Sequence, residues 1–124
     1  MGVRVLIVDD NAAIRNRLCS MLNELADFDV VGSAPDGASA LLGIAAHSPD
    51  VVVIDLRLPD VSGLDLIAQV KRAVDAPRVV AMTSQPERFY RKECLDRGAD
   101  AFVDKAAPFS ELITALTTGL SDRR

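Results

Sequence analysis

The segment VRVLIVDDN (3–11) joins an apolar run to two adjacent acidic residues, Asp9 and Asp10. A run rich in β-branched residues predicts a parallel strand that is covered on both faces. Two like charges at the end of such a strand are costly unless they are solvated or neutralised. The segment therefore predicts a buried strand that delivers acidic side chains to a ligand at its carboxyl end.

Four further segments have the same character, and segments with helical spacing separate them. The strand-like segments are FDVVGS (28–33), DVVVID (50–55), RVVAM (78–82) and DAFVD (100–104). In the first helical segment the apolar residues recur every three or four positions, as Ile14, Leu18, Met21, Leu22 and Leu25. This (βα)5 order predicts an α/β fold with a doubly wound, five-stranded parallel sheet, because right-handed crossovers place helices on both faces.

Helix boundaries are indicated by capping and turn residues. Asp36 is predicted to cap the second helix, and either Ser62 or Asp60 the third. The remaining boundaries are marked by Pro86 before the fourth helix, Gly98 after it and Pro108 in the first turn of the last.

The composition is that of a single globular domain over residues 1–124, with 49% hydrophobic and 26% charged residues. The tail SDRR (121–124) is either a frayed end or the beginning of a linker. A net charge of −4 argues against a nucleic-acid-binding surface, and no apolar run is long enough to span a membrane. The two cysteines lack metal-site spacing, and the chain passes directly into its first strand, so we expect a cytoplasmic protein with reduced thiols.

Chemistry-bearing residues follow four of the predicted strands: Asp9 and Asp10, Asp55, Thr83, and Lys105. Ligands of open α/β sheets bind at this carboxyl edge. Two charges about 4 Å apart repel by roughly 4 kcal/mol at an effective dielectric near 20, so three carboxylates need raised pKa values, a lysine or a divalent cation, and one Lys105 cannot compensate three acids. Carboxylates without nearby His or Cys favour Mg²⁺ over zinc. An acidic site beside a lysine and a hydroxyl suits phosphoryl transfer, with Asp55 as the nucleophile.

Four motifs in this order resemble the receiver domain of bacterial two-component response regulators, over the whole chain. They are VDD (8–10), IDLRLPDVSGLDL (54–66), AMTS (81–84) and AFVDK (101–105). The resemblance implies the CheY-like, flavodoxin-like strand order 2-1-3-4-5. The segment DKAAPFSEL (104–112) is similar to the NarL/FixJ-type sub-group, whose receivers precede a helix-turn-helix output domain. Its Lys105–Ala106 bond is expected to be trans, because a cis bond there costs about 3 kcal/mol.

The resemblance also implies a role for each site residue. Asp55 would accept a phosphoryl group from a histidine kinase or phosphotransfer protein, and the acyl phosphate would later hydrolyse. The implied ligands of Mg²⁺ or Mn²⁺ are Asp10, Asp55, the backbone carbonyl of Arg57 and, through water, Asp9. Lys105 would pair with the phosphoryl oxygens, while Thr83 and Phe102 would couple phosphorylation to the face formed by helix 4, strand 5 and helix 5.

That face is the implied surface for an unidentified output partner. Its candidate residues Arg88, Tyr90 and Arg91 fit a partner surface and a solvated basic face equally well. The resemblance leaves open a weak homodimer through the same face. It implies a signalling switch that catalyses only its own phosphorylation and dephosphorylation. Direct nucleic-acid binding by this chain is not expected.

Each residue taken alone has a plainer structural reading. Asp9 and Asp10 suit the first turn of a helix, Asp55 and Thr83 suit turns, and a lone Lys105 suits solvent. His47 is expected to be a solvated residue at the end of the second helix rather than a phosphodonor. For Thr83 and Lys105, only the convergence with the acids favours function. Asp55 favours function on its own, because it ends a nearly wholly apolar strand where no local cap is needed.

Three other functions compete with the switch. A Mg²⁺-dependent phosphatase would carry an acid two residues after the nucleophile, where this chain has Arg57. A flavodoxin-like cofactor binder would need a hydroxyl- and glycine-rich loop after the first strand, where this chain has acids. A receiver-like module that is not phosphorylated would not need the complete set of acids, hydroxyl and lysine.

Overall fold

The computed structural model describes residues 2–84 and 88–118. Within these ranges five parallel strands form one sheet in the order β2-β1-β3-β4-β5. The strands are β1 (Val3–Val8), β2 (Phe28–Ala34), β3 (Val51–Asp55), β4 (Arg78–Thr83) and β5 (Ala101–Asp104). The predicted α/β fold and its strand order are therefore confirmed.

A helix follows each strand, so the (βα)5 order is also confirmed. The helices are α1 (Ala12–Asn23), α2 (Gly37–His47), α3 (Gly63–Lys71), α4 (Arg88–Asp96) and α5 (Phe109–Thr117). Helices α1 and α5 cover one face of the sheet, which we call the α1/α5 face, and α2, α3 and α4 cover the other. No helix in the described ranges has the length and hydropathy needed to cross a bilayer.

Two apolar layers hold the helices to the sheet. The layer on the α1/α5 face includes Ile7, Val53 and Leu116, and the opposite layer includes Ile54 and Leu66. Strand β3 is buried at every position, as expected for a central parallel strand covered on both sides.

Most predicted boundaries agree with the structure, and some differ. Asp36 caps α2, Ser62 caps α3, and Gly98 follows α4 with a positive φ of 106°. Pro108 occupies the N-cap of α5 rather than its first turn. Leu25 was wrongly included in the stripe of α1, because that helix ends at Asn23 and Leu25 is exposed in the turn before β2.

The other expectations concern residues at the periphery. His47 is exposed at the end of α2, as expected. Both cysteines are free; Cys94 is buried and Cys19 half-buried. No cis peptide bond occurs in the described ranges, so the Lys105–Ala106 bond is trans. The boundary prediction at Pro86 and the tail 121–124 lie outside the described residues.

Candidate phosphoacceptor and metal site

The register of the sheet brings Asp9 and Asp55 together. Val8 pairs with Ile54, so the next residue along each strand, Asp9 on one and Asp55 on the other, lies at the same carboxyl edge. Side chains alternate between the faces of a strand, so Asp9 shares its face with Ile7, and Asp55 shares its face with Val53. Both acids therefore lie at the end of the apolar layer on the α1/α5 face.

Lys105 reaches the same place from the other edge of the sheet. It lies two residues after Val103, which belongs to the apolar layer on the α1/α5 face. Its backbone N–H donates to the carbonyl of Thr83 at 2.8 Å, which extends the ladder between β4 and β5 by one bond. Its Nζ lies 2.8 Å from Asp9 Oδ2 and 3.0 Å from Asp55 Oδ2. The predicted convergence of the two acids and the lysine is present.

Burial distinguishes this edge from the rest of the described chain. The buried polar or charged residues within residues 2–84 and 88–118 are Asp9, Asp55 and Thr83, which are 2%, 4% and 3% exposed. Polar side chains are rarely buried at the edge of an apolar core without partners or a function, because their desolvation is costly. All three lie at the carboxyl edge, which marks it as the candidate functional site.

Burial and hydrogen bonding act against each other on the ionisation of this pair. Burial raises the pKa of Asp55, although the hydrogen bonds from Lys105 and from the Arg57 N–H oppose the rise. Burial alone would lower the pKa of Lys105, but the hydrogen bonds to Asp9 and Asp55 outweigh it and raise the pKa. We therefore expect Lys105 to be charged at neutral pH, and its charge to hold the two carboxylates together.

The local backbone fixes the orientation of both buried acids. Asp9 Oδ1 accepts from the N–H of Asn11 at 2.9 Å, and the Asp9 carbonyl accepts from Arg15 Nη1 at 2.7 Å. Asp55 Oδ1 accepts from the N–H of Arg57 at 3.2 Å. Asn11 also caps α1 through its side chain, which accepts from the N–H of Ile14. The β1–α1 loop is thus held on one side by the hydrogen bonds of Asp9 and on the other by the capping of α1 by Asn11.

The three acids are close enough to share a cation. Single oxygens of Asp9, Asp10 and Asp55 lie within 4.8 Å of one another, and Asp10 is exposed while the other two are buried. Hard carboxylate oxygens with an open side suit a divalent cation that keeps part of its water shell, as Mg²⁺ does. The donor set therefore fits the metal that the sequence predicts.

Thr83 and Phe102 lie towards the opposite face of the sheet, where α4 packs. Thr83 is buried at the end of β4, and Phe102 is half-buried against the apolar layer that contains Ala81 and Cys94. The guanidinium carbon of Arg91 lies 6.0 Å from the centre of the Phe102 ring, a cation–π arrangement. The two residues predicted to act as a switch therefore lie on the same face of the sheet as α4.

The predicted partner-surface residues are only partly described. Arg91 is exposed on α4 and Tyr90 is half-buried. The side chain of Arg88 lies outside the described residues, although its backbone begins α4. A cavity of about 410 Å³ between β5 and α5 is lined by Arg91, Phe102 and Glu111, among others.

Two positioning contacts were not predicted from the sequence. Arg15, on α1, donates to the Asp9 carbonyl, and the sequence patterns assigned it no role. Asp60 was considered only as a cap of α3, whereas its carboxylate binds the N-terminus of α2. An acid directly after the proline of LPD (58–60) was the available signal, but the sequence did not say which helix it would meet.

The strand order, the acidic edge and the half-buried lysine together define a CheY-like α/β domain. The sequence profile described as response regulator receiver domain matches residues 5–117. The chain therefore belongs to the receiver domains of two-component response regulators. Domains of this family are signalling domains that interact with histidine kinases and output domains, and their signalling depends on phosphorylation.

Individual relatives agree with this placement. The chain is 35% identical over 118 residues to the transcriptional regulatory protein PdtaR of Mycobacterium tuberculosis, covering 95% of this chain and 57% of that protein. It is 32% identical over 116 residues to the response regulator protein VraR of Staphylococcus saprophyticus, covering 94% of this chain and 56% of that protein. The chain thus spans about half the length of these curated relatives.

A solved structure extends the agreement to three dimensions and to the sub-group. The signal receiver domain of the response regulator NarL from Mycobacterium tuberculosis superposes with a TM-score of 0.90. It is 32% identical, and the match covers 97% of each chain. The sequence-based resemblance to NarL-type receivers is confirmed.

Proposed function

We propose that the chain is a cytoplasmic phosphorylation switch in which Asp55 accepts a phosphoryl group from the histidine of a kinase or phosphotransfer protein. An Asp55 carboxylate oxygen forms a bond to phosphorus while the P–N bond to the histidine breaks. The released imidazole takes a proton from solvent and leaves neutral. Water later attacks the acyl phosphate, which regenerates the Asp55 carboxylate and releases inorganic phosphate. The observation that carries this proposal is the burial of Asp55 against Lys105 beside two further acids.

Each neighbouring residue has a part in this proposal. Asp10, Asp55 and the Arg57 carbonyl would hold Mg²⁺ or Mn²⁺, with Asp9 acting through water. When bound, the metal supplies positive charge to the phosphoryl oxygens. Lys105 already places its ammonium 3.0 Å from Asp55, so a small movement would bring it to a phosphoryl oxygen there.

The phosphorylated state would be transmitted through Thr83 and Phe102. A phosphoryl group brings strong hydrogen-bond acceptors, to which the Thr83 hydroxyl could donate. Thr83 and Phe102 lie on neighbouring strands and towards the face that α4 covers, so a shift of Thr83 would change the packing available to Phe102. The face formed by α4, β5 and α5 would then change its affinity for an output partner, or for a second copy of the chain, as a population shift.

Electrophoresis in a phosphate-binding gel tests phosphorylation directly. Incubation with acetyl phosphate and Mg²⁺ should produce a retarded band in the wild-type protein. The band should be absent in Asp55→Asn, which keeps the size of the side chain but removes the nucleophile, and absent when EDTA removes the metal. A retarded band of equal intensity in Asp55→Asn would refute the assignment. A wild-type protein that never shifts would favour a receiver-like module without phosphorylation.

The transmission step has its own test. Thr83→Ala should still give the retarded band, since it leaves Asp55 and Lys105 in place. Amide NMR shifts on phosphorylation should shrink at Phe102 and in α4 relative to wild type. Shifts of unchanged size at these positions would remove Thr83 from the switch.

A further inference from the structure

Asp60 connects the loop after the candidate nucleophile to a different helix. Its two carboxylate oxygens accept hydrogen bonds from the backbone N–H groups of Gly37, at 2.8 Å, and Ala38, at 3.0 Å. These are the first two amides of α2, which have no partners within their own helix. The next two amides are satisfied by Asp36, through its side chain and its carbonyl. The first turn of α2 is therefore capped by two acids, and one of them comes from the β3–α3 loop.

The same loop is closed at its base beside Asp55. Arg57 and Ser62 form an antiparallel bridge, so the loop is a narrow hairpin with Asp60 near its tip. At the base, the Arg57 N–H donates to Asp55 Oδ1 at 3.2 Å. The hairpin thus has a tip fixed to α2 and a base fixed to the candidate nucleophile.

Close packing at the tip supports the anchor independently of the hydrogen bonds. A Cβ added to Gly37 would lie 2.3 Å from Cγ1 of Val61, the residue after Asp60. Gly37 is itself buried, so the start of α2 and the tip of the loop are in direct contact. The hydrogen bonds from the Gly37 and Ala38 amides also hold the pKa of Asp60 below its ordinary value, as expected for a carboxylate that accepts from backbone N–H groups.

We propose that Asp60 is a positioning residue for the phosphoryl-transfer site. By fixing the tip of the hairpin to α2, it holds the Arg57 N–H and carbonyl at the base in the places that Asp55 and the metal require. The inference rests on the proposed phosphorylation of Asp55. It extends that proposal to a residue that touches neither the phosphoryl group nor the metal.

A purely structural role for Asp60 predicts something different. If Asp60 only caps α2, its removal should resemble the removal of Asp36, which caps the same turn but lies outside the hairpin. Asp36→Ala is therefore the matched control for Asp60→Ala. Each variant removes hydrogen-bond acceptors from the N-terminus of α2, but only Asp60→Ala also releases the tip of the hairpin.

The experiment compares these variants in the whole chain by three measurements. Calorimetric titration gives the dissociation constant for Mg²⁺, the acetyl phosphate reaction gives the phosphorylation rate, and urea unfolding gives the stability. Loss of a group that orients a metal ligand typically weakens metal binding or activity by about tenfold or more. We expect that loss in Asp60→Ala, together with faster hydrogen exchange at the Arg57 amide. Asp36→Ala should lose stability but keep its Mg²⁺ affinity and its Arg57 protection.

A second variant keeps the test decisive if Asp60→Ala does not fold. Asp60→Asn retains the size of the side chain and one acceptor oxygen, so its Mg²⁺ affinity should lie between those of wild type and Asp60→Ala. Mg²⁺ affinity in the Asp60 variants equal to that of Asp36→Ala would overturn the inference while leaving the phosphorylation of Asp55 standing. A wild-type protein that is not phosphorylated would instead remove the proposed function.

Discussion

Replacing Lys105 by methionine should separate the two tasks of this side chain, which are neutralising the acids and assisting phosphoryl transfer. The side chain of Lys105 is 14% exposed, and its ammonium lies within 3.0 Å of both Asp9 and Asp55. Methionine preserves the unbranched apolar stem as far as Cε but lacks the charged amino group. Removal of one partner from a buried ion pair costs about 3–5 kcal/mol, because the remaining charge is left uncompensated.

The lower end of that range applies here, because the open side towards Asp10 admits water and counter-ions. Without divalent cations at about pH 8, we expect the free energy of unfolding to fall by roughly 3 kcal/mol. For a domain of this size that corresponds to a decrease in Tm of roughly 10 °C. Lys92→Met is the matched control, because Lys92 pairs with Asp96 on the surface of α4 and its side chain is 77% exposed. Its removal should leave Tm almost unchanged, as is usual for exposed pairs.

Magnesium should reverse the instability of Lys105→Met more strongly than it stabilises the wild type. Two unit charges about 4 Å apart interact by roughly 4 kcal/mol at a dielectric of 20. Even when solvent screens most of this energy, removing the repulsion between the Lys105 ammonium and Mg²⁺ should tighten Mg²⁺ binding by about tenfold, or about 1.4 kcal/mol. A ligand that binds only the folded state raises the free energy of unfolding by RT ln(1 + [L]/Kd), so at the same Mg²⁺ concentration the tighter-binding variant gains more.

The assay is thermal unfolding with and without Mg²⁺, followed by the acetyl phosphate reaction. Lys105→Met should bind Mg²⁺ more tightly and yet be phosphorylated more slowly than wild type, since its phosphoryl oxygens lack the ammonium. The reasoning fails if Lys105→Met loses no more stability than Lys92→Met in metal-free buffer. It also fails if Mg²⁺ binds the variant more weakly than the wild type.

Two further predictions concern residues outside the acidic cluster. Because the pKa of Asp60 is lowered in the folded protein, its stabilising effect is present above the unfolded pKa and is lost as pH falls through the lower folded value. In urea unfolding, the stability of Asp60→Asn should therefore fall less steeply than that of wild type below about pH 4. An equally steep fall in both proteins would contradict the hydrogen bonds from Asp60 to α2. Burial raises the pKa of the Cys94 thiol to about 11. In the native protein at about pH 8, a disulfide reagent should therefore label the half-buried Cys19 first and leave Cys94 unreacted. Rapid labelling of Cys94 in the folded protein would refute its burial.

The carboxyl edge could be predicted from the sequence because parallel topology leaves little freedom there. Once β1 and β3 are known to be neighbouring buried strands, Asp9 and Asp55 must end at the same edge. Thr83 and Lys105 follow for the same reason from β4 and β5. Periodicity and strand order determine these positions, so the acids, the hydroxyl and the lysine could be assembled without coordinates.

Contacts made by long side chains across loops could not be predicted in the same way. The sequence shows Asp60 beside a proline and before α3, and local capping rules assign it to that helix. Its actual partners are Gly37 and Ala38, which precede it by more than twenty residues. Only the packing of the hairpin against α2 decides between the two helices, and this depends on the absence of a side chain at Gly37. Leu25 was misplaced for a similar reason, because a periodic stripe does not indicate where the turn into β2 begins.

The charge balance of the site explains why phosphorylation should require a metal even though Lys105 is already in place. Three carboxylates and one ammonium leave the cluster two negative charges in excess. Converting the Asp55 carboxylate to an acyl phosphate replaces one negative charge by about two, which raises that excess further. A lysine that already contacts two acids cannot compensate the added charge without giving up Asp9 or Asp55. A divalent cation can, because it brings the cluster to formal neutrality before the phosphoryl group arrives. The three acids repel one another in the resting site, and this repulsion favours binding of the divalent cation. The same cation then compensates the charge of the acyl phosphate.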